Sequence, residues 1–238
     1  MSKIHFSIDD VFGCLNWLAK NQNKIHSIFD SYVFDFARQI HDEFGISVSL
    51  YCMYTNGMKN LKDIPDKWKI EFQENSEWLK FGFHAYEPNS CYSDVTPKTF
   101  ESEYDEVLCE LLRIMGGTES LTDTIRLHYF AGNQETVKIL AQKGIKCLLC
   151  ADDDRMSYNL NEDKSRQLKE QRIYYDTLYD MKYVPTDIRV ENIRNIDDEI
   201  EKARKLESNV VIFTHEIQLA KDSIRNTTIK LLNGIINS

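Results

Sequence analysis

Two adjacent carboxylates, Asp9 and Asp10, end the first apolar stretch of the chain, a short predicted strand that begins at Lys3. Active sites of α/β folds usually lie at the carboxyl ends of strands. One acid there can hold a cation while its neighbour takes a proton from water, as metal-assisted hydrolysis requires. The alternative is that Asp9 or Asp10 caps the helix that begins near Val11. The pair alone leaves both interpretations open.

Four later strands also carry polar residues at or near their carboxyl ends: His84, Arg126 with His128, Asp152 in the acidic run 152–154, and His215. Arg126 and His128 are two residues apart, which places them on the same face of a strand. Each residue has an ordinary explanation as a loop or ion-pair residue. Because the carboxyl ends of parallel strands share one face of a fold, the whole set indicates a metal-dependent hydrolytic site.

The elements that must position these residues alternate between strand and helix. Strands are predicted at 3–10, 46–53, 79–84, 124–130, 146–151 and 209–214, and helices at 28–44, 66–75, 96–115, 133–144, 197–206 and the C-terminal end. Residues 172–190 are rich in tyrosine and predict a β-rich insertion. This order predicts an α/β fold, an incomplete barrel of six or seven strands, with a doubly wound open sheet as the alternative. No Pro/Gly-rich linker interrupts the chain, so residues 1–238 are predicted to form a single domain.

Composition excludes some classes of function. The net charge of −9 argues against a nucleic-acid partner, because phosphate binding needs a basic surface. No stretch has the length of a membrane span, and the first residues do not resemble a secretory signal. The six cysteines lie mostly in apolar stretches and are predicted to be reduced thiols, although Cys147 and Cys150 form a C-x-x-C pair. These features predict a cytoplasmic protein.

The five strand ends resemble the motifs of the polysaccharide deacetylase family, carbohydrate esterases that remove N- or O-acetyl groups from sugars. Residues 6–10 are similar to its T-F-D-D motif, and residues 81–86 to its second motif, which starts with a metal-binding histidine. Residues 126–129 are similar to an R-x-P-Y motif, and 213–215 to an L-x-H motif. The fourth motif contributes an acid, for which 152–154 is the candidate. The resemblance implies a distorted (β/α) barrel of about seven strands.

The resemblance also implies roles for individual residues. Asp9 would be the general base, His215 the general acid, Arg126 the residue that orients Asp9, and Asp152 an acid paired with Arg126 or His215. Asp10 and His84 would bind a divalent metal, most often zinc. Tyr86 and Tyr129 are candidates for contact with the sugar, and a backbone N–H near Tyr129 could help to stabilise the oxyanion.

The chain departs from the family pattern at the metal site. The family places a second histidine four residues after the first, and this chain has Pro88 there, which cannot bind a metal. Catalytic zinc usually has three protein ligands. His128, Glu87 and Asn89 are the candidates for the third ligand, with His128 favoured because strand alternation points it the same way as Arg126.

Two functions follow from the resemblance. The first is a metal-dependent hydrolase that removes an acetyl group from a carbohydrate or a sugar intermediate. The second is an inactive barrel of the same kind that binds a sugar or a protein partner. The missing histidine favours the second, and the presence of a base, an acid and an arginine at separate strand ends favours the first. The sequence does not indicate an oligomeric state.

Overall fold

A computed structural model describes residues 4–158 and 160–237, and Lys3, where the first strand was predicted to begin, lies outside them. The described strands are β1 (Ile4–Val11), β2 (Val48–Met53), β3 (Leu79–Ala85), β4 (Thr124–Ile125), β5 (Cys147–Cys150), β6 (Tyr174–Asp176), β7 (Met181–Pro185), β8 (Ile188–Arg189) and β9 (Val210–His215). The described α-helices are α1 (Gly13–Asn21), α2 (Tyr32–Phe44), α3 (Lys69–Glu74), α4 (Pro97–Met115), α5 (Gln134–Gln142), α6 (Glu162–Gln171), α7 (Ile196–Arg204) and α8 (Asp222–Ile236).

Hydrogen bonding divides the strands into two sheets, ordered β3-β2-β1-β9-β8 and β4-β5-β7-β6. The named strands pair in parallel, with the β6–β7 hairpin as the antiparallel exception. Parallel strands need helical crossovers that cover the sheet, and here helices follow most of the strands. The predicted α/β class is confirmed. β1 lies at the centre of the larger sheet, so the carboxylates at its end lie among the ends of neighbouring strands.

The two sheets meet at two places. On one side, the Thr122 N–H donates to the carbonyl of Phe81 in β3, with an N···O distance of 3.0 Å. On the other side, β7 and β8 follow one another with Thr186 and Asp187 between them, and the Asp187 N–H donates to the Val211 carbonyl at 2.9 Å. β7 and β8 therefore act as one bent strand shared by both sheets. With β7 and β8 counted as one strand and β6 left out, seven strands form a distorted barrel. Among the described residues, the strands do not form one continuous hydrogen-bonded sheet around this barrel.

A β-bulge at the end of β1 sets the direction of the two acids. Ile8 pairs with Leu50 and Val11 with Cys52, so β1 has one residue more than β2 in this interval. Asp10 lies in this bulge and has a φ of 59°. Adjacent side chains of a regular strand point to opposite faces, whereas a bulge re-aims one of them. The bulge is why both Asp9 and Asp10 can reach one site.

Three helix ends in the first half of the chain follow the sequence signals, whereas the helix predicted at 28–44 begins only at Tyr32, after a 3-10 turn at Ile28–Asp30. Gly45 and Gly116 end α2 and α4 with φ of 65° and 82°, a conformation that glycine adopts without steric cost. Thr96 caps α4 by accepting from the Thr99 N–H, and Pro97 occupies the first turn. The apolar face of α4 packs on β3, where Phe83 meets Tyr104 with ring centroids 5.1 Å apart. These predicted boundaries are confirmed.

The predicted strand 124–130 is wrong in its second half. Only Thr124–Ile125 pairs as a strand, and His128–Phe130 forms a 3-10 turn. Tyr129 and Phe130 have φ of 58° and 56°, left-handed values at which a regular strand cannot continue. The alternation argument that placed Arg126 and His128 on one face therefore fails, and His128 reaches the site through this turn instead.

The tyrosine-rich segment 172–190 forms β6, β7 and β8. β7 and β8 belong to the parallel framework, since β7 pairs with β5 and β8 with β9. β6 pairs antiparallel with β7 and is the strand of this segment that lies outside that framework. Tyr183 is buried, and the ring of Tyr174 packs against it at 5.6 Å between centroids. These tyrosines cover the smaller sheet. Among the described residues, no helix has both the length and the apolar character needed to cross a bilayer.

Candidate active site

Asp9 and Arg126 form a buried ion pair at the end of β1. Nη1 of Arg126 donates to Asp9 Oδ1 at 2.9 Å and to Oδ2 at 3.0 Å. The same nitrogen donates to Ser7 Oγ at 2.8 Å, and Nη2 donates to Thr186 Oγ1 at 3.1 Å. A charge that is both paired and hydrogen-bonded can be tolerated inside a protein. These contacts fix the orientation of the Asp9 carboxylate.

A carboxylate and two imidazoles converge beside this pair. Nε2 of His84 lies 3.1 Å from Asp10 Oδ1, and Nε2 of His128 lies 3.8 Å from the same oxygen. One ligand atom from each of the three residues falls within 4.8 Å of the others. Glu87 does not belong to this group, and Glu87 and Asn89 are both exposed. Of the three candidates for a third ligand, the structure brings His128 to Asp10 and His84.

Backbone carbonyls fix the tautomers of both imidazoles. Nδ1 of His84 lies 2.6 Å from the Arg126 carbonyl oxygen, and Nδ1 of His128 lies 3.3 Å from the Ser90 carbonyl oxygen. A carbonyl can only accept, so each Nδ1 carries the proton and each Nε2 presents a lone pair in the neutral ring. Metal-binding histidines usually donate their other N–H in this way. Both lone pairs therefore face the Asp10 carboxylate.

The donor set fits a divalent metal. Asp10 Oδ1 and His84 Nε2 are buried and lack a hydrogen-bond partner, although they are close to each other. A lone pair that faces a carboxylate oxygen is unfavourable unless a proton or a cation lies between them. Burial raises the pKa of Asp10, but a proton on His84, through its hydrogen bond and charge, holds the pKa of Asp10 below its usual value. A cation between the two residues would take the place of that proton. Burial, followed by the charge of His84, lowers the pKa of His128. One carboxylate and two neutral imidazoles are ligands that zinc accepts.

His215 faces the same site from the end of β9, where it pairs in register with Asp9. Its Nδ1 contacts Oε1 of Glu191, and the Thr214 hydroxyl donates to Glu191 Oε2 at 2.9 Å. Burial lowers the pKa of His215, but the hydrogen bond that it donates to Glu191 and the charge of Asp9 outweigh burial and raise the pKa above its usual value. The proton on Nδ1 is held by a carboxylate, so Nε2 of the protonated ring is free to donate.

Neither acid of the first pair caps α1, so the capping interpretation is wrong. The N-cap position of α1 is Phe12, and the oxygens of Glu216 accept from the N–H groups at the start of this helix. Phe12 and Gly13 donate to Oε2 at 3.0 and 2.7 Å, and Cys14 contacts Oε1. Glu216 satisfies the backbone N–H groups at the start of α1, which leaves Asp9 and Asp10 available for the site.

Asp152 is not paired as expected. Its Oδ1 accepts from Nη2 of Arg189 at 2.5 Å, whereas Arg126 pairs with Asp9 and His215 with Glu191. The expectation that Asp152 pairs with Arg126 or His215 is wrong. Arg189 borders the site, so Asp152 contacts the site indirectly, through Arg189.

The two tyrosines predicted to contact substrate lie in different places. Tyr129 is 50% exposed and borders the site beside His128. The Tyr86 ring instead stacks on Tyr54 with centroids 4.6 Å apart, and its hydroxyl donates to Glu106 Oε2 at 3.1 Å. Tyr86 therefore faces α4 and does not border the site cavity.

A cavity of about 160 Å³ opens over these groups. Its lining includes Asp9, His84, His128, His215, Arg155 and Arg189. Of the four candidate acid–base and orienting residues, Asp9, Arg126 and His215 line the cavity and Asp152 does not. A small polar molecule in this cavity would meet Asp9, His215 and the two histidines of the ligand group together.

Sequence reasoning missed three carboxylate or arginine partners: Glu191, Arg189 and Glu216. Glu191 follows the end of β8, and a strand-end acid is the signal that identified the other site residues. It was overlooked because 172–190 was interpreted as an insertion and not as part of the barrel. Glu216 immediately follows His215 and gave no signal of its own.

Comparisons with known proteins give a likeness of fold. The structure is similar to a 4-alpha-glucanotransferase from Thermococcus litoralis, with a TM-score of 0.56 and 16% identity over 100% of this chain and 38% of that one. It also matches a peptidoglycan N-acetylglucosamine deacetylase, with a TM-score of 0.47 and 13% identity over 99% of this chain and 81% of that one. At 16% identity, the likeness to the glucanotransferase is one of fold alone.

Another match is a CE4 family pseudoenzyme from Bacillus anthracis, with a TM-score of 0.44 and 9% identity over 97% of this chain. The chain spans about 60% of the length of that pseudoenzyme. No family model matches the sequence. No curated protein matches it either. At these identities the matches carry no statement about activity, which must be argued from the site.

Proposed function

We propose that this protein is a metal-dependent hydrolase that removes an N- or O-linked acyl group, acetyl in the simplest case, from a carbohydrate. One observation carries the proposal. Asp10 Oδ1 and the Nε2 atoms of His84 and His128 converge, and Asp10 Oδ1 and His84 Nε2 are buried without a hydrogen-bond partner. The fixed base Asp9 and the fixed acid His215 lie on either side.

Asp10, His84 and His128 are the proposed ligands of a divalent cation, most plausibly zinc. When bound, such a cation polarises a carbonyl and lowers the pKa of a coordinated water. Two backbone carbonyls hold the imidazoles in the ligating tautomer, which is the support that ligating histidines need. The three residues would supply the number of protein ligands that a catalytic zinc site usually has.

Asp9 is the proposed general base. Its carboxylate borders the cavity, and Arg126 and Ser7 hold it in one orientation. A base held within reach of a water can take its proton as that water attacks a carbonyl carbon. Arg126 acts through Asp9 and is a positioning residue.

His215 is the proposed general acid. Glu191 keeps its imidazole in one orientation and raises its pKa, so the ring is protonated to a higher pH than a free histidine. Protonation of the departing amine or alkoxide by Nε2 would complete cleavage of the bond. A base and an acid of opposite protonation in one cavity are what acyl hydrolysis requires.

The carbohydrate part of the proposal rests on the motif resemblance and on Tyr129. An exposed aromatic ring at the rim of a polar cavity can stack on a sugar while its hydroxyl stays solvated. We further propose a reducing, cytoplasmic location, because all six cysteines are free thiols.

Metal content tests the proposal without knowledge of the substrate. Protein purified without chelator should contain near-stoichiometric zinc or another divalent metal by mass spectrometry. Asp10→Ala and His128→Ala should lose it, because a site with two protein ligands holds zinc weakly. Asp153→Ala, which removes an exposed acid outside the group, is the matched control and should retain the metal.

The result that would overturn the hydrolase is also clear. Protein without metal that takes up none when zinc is added back would mean that Pro88 in the second motif has disarmed the site. The chain would then be better described as an inactive barrel that binds a sugar or protein partner.

A further inference from the structure

A second cavity, of about 490 Å³, shares His128 with the cavity that Asp9 and His215 line, which we call the acid–base cavity. Its wall is largely apolar and includes Phe12, Trp17, Tyr32, Met53, Pro88 and Ile217. We call it the apolar groove. Asp10 and His128, two of the three proposed metal ligands, also line it. The groove and the acid–base cavity therefore adjoin at His128.

Apart from Asp10 and His128, the lining of the groove holds little free charge. Glu216 lies in its wall, but three backbone N–H groups of residues 12–14 occupy the carboxylate oxygens. Trp17 and Tyr32 remain partly accessible, and Ile217 at the lip is 75% exposed. A groove of a few hundred cubic ångströms with apolar walls and a few polar groups at one end is typical of a site for a small ligand with an apolar part.

The position of the general acid decides which part of a substrate enters the groove. His215 must lie beside the leaving group in order to protonate it, and His215 borders the acid–base cavity together with Asp9. The leaving amine or alkoxide therefore occupies that cavity. The substituent on the other side of the carbonyl carbon extends past Asp10 and His128 and enters the apolar groove.

We infer that the apolar groove binds the acyl chain of the substrate and that this chain is longer than acetyl. This inference rests on the proposed hydrolase function and names its substrate class, an acyl amide or ester with an extended aliphatic chain. Acetyl would leave the groove empty. Pro88 contributes an apolar surface to the groove at the position where the family motif would place a charged or ligating imidazole.

Binding of the product acids tests the inference without turnover. Acetate, butyrate, hexanoate and octanoate are titrated into the metal-loaded protein by calorimetry, with Trp17 fluorescence as a second readout. Each buried methylene should tighten binding by roughly fourfold until the groove is full. Flat affinity along the series, or weaker binding of the longer acids, would overturn the inference.

Two substitutions of exposed apolar residues by aspartate localise the effect. Ile217→Asp places a charge at the lip of the groove and should flatten the chain-length series. Leu178→Asp makes the same kind of change at a site that is 72% exposed and lies on the β6–β7 turn, away from the groove, and should behave as the wild type. An equal effect of both changes would show that the chains bind elsewhere.

The outcomes separate the groove from the proposed function. Protein that holds metal and releases acetate from acetylated sugars, but shows no chain-length gradient, would keep the function and refute the groove. A steep gradient in a protein that hydrolyses none of the matching acylated amides or esters would keep the groove as a binding site and refute the hydrolase.

Discussion

The site has two halves that differ in how their polar atoms are satisfied. In one half, Asp9 is held by Arg126, and His215 by Glu191, so each charged group has a partner of opposite charge. In the other half, Asp10 and His84 approach each other with buried atoms that lack hydrogen-bond partners. The first half is complete within the chain. In the proposed function, a divalent cation would complete the second half.

In the proposed function, the difference separates the residues that would move protons from those that would hold an ion. A proton-transfer group must be oriented by the protein alone, because its partner changes during the reaction. A ligand group must keep a lone pair unsatisfied until the ion arrives, which costs folding free energy when the atom is buried. Asp9 and Asp10 are adjacent in sequence, yet the bulge in β1 assigns one to each half.

The largest expected effect separates the halves directly. Asp9→Asn should lower turnover by about 10²–10⁴-fold, the usual contribution of a general base, while the metal content stays that of the wild type. Single-turnover kinetics and mass spectrometry on the same preparation measure both quantities. Loss of metal together with activity would mean that Asp9 belongs to the ligand half.

The next effect concerns the buried ion pair. Arg126→Met should reduce the free energy of unfolding by about 3–5 kcal/mol, because it leaves the Asp9 carboxylate buried without a counter-charge. Urea denaturation followed by circular dichroism measures the change. Arg155→Met is the control, since Arg155 and Asp153 are each 45% exposed and such pairs contribute at most about 1 kcal/mol. Similar losses in both variants would show that the Asp9–Arg126 pair has no special structural role.

The smallest effect is a shift in pH dependence. His215 must be protonated to act as an acid, so kcat/KM should fall as the pH rises through its pKa. Glu191 raises that pKa, and Glu191→Gln removes the charge while keeping a hydrogen-bonding side chain. The alkaline limb of kcat/KM should therefore move to lower pH. A limb that stays in place, or moves to higher pH, would contradict the role of His215.

The sequence predicted those parts of the site that local signals encode. Asp9, Asp10, His84 and His215 follow predicted strands, and the parallel order of the strands brings them together. Helix ends at Gly45 and Gly116 follow from the one residue type that adopts positive φ without cost. Such signals need only a few neighbouring residues to be read.

The parts that could not be predicted depend on the backbone conformation or on distant partners. His128 reaches the ligand group through a turn in which Tyr129 and Phe130 have positive φ, and no aromatic residue signals that conformation. Asp152 binds Arg189, which is 37 positions away, and not Arg126. Either arginine would satisfy a carboxylate, and only the three-dimensional arrangement of the strand ends decides between them.

The contact of Glu216 with the start of α1 has a consequence for how the chain is made. Glu216 accepts from the Phe12 N–H across 204 positions of sequence, and β9 lies between β1 and β8 in the sheet. During synthesis β1 emerges before β9, so one edge of β1 stays unpaired until residues 210–216 have left the ribosome. The same segment supplies His215 to the candidate site and Glu216 to the start of α1. Until it emerges, a nascent chain carries an exposed strand edge and an incomplete candidate site.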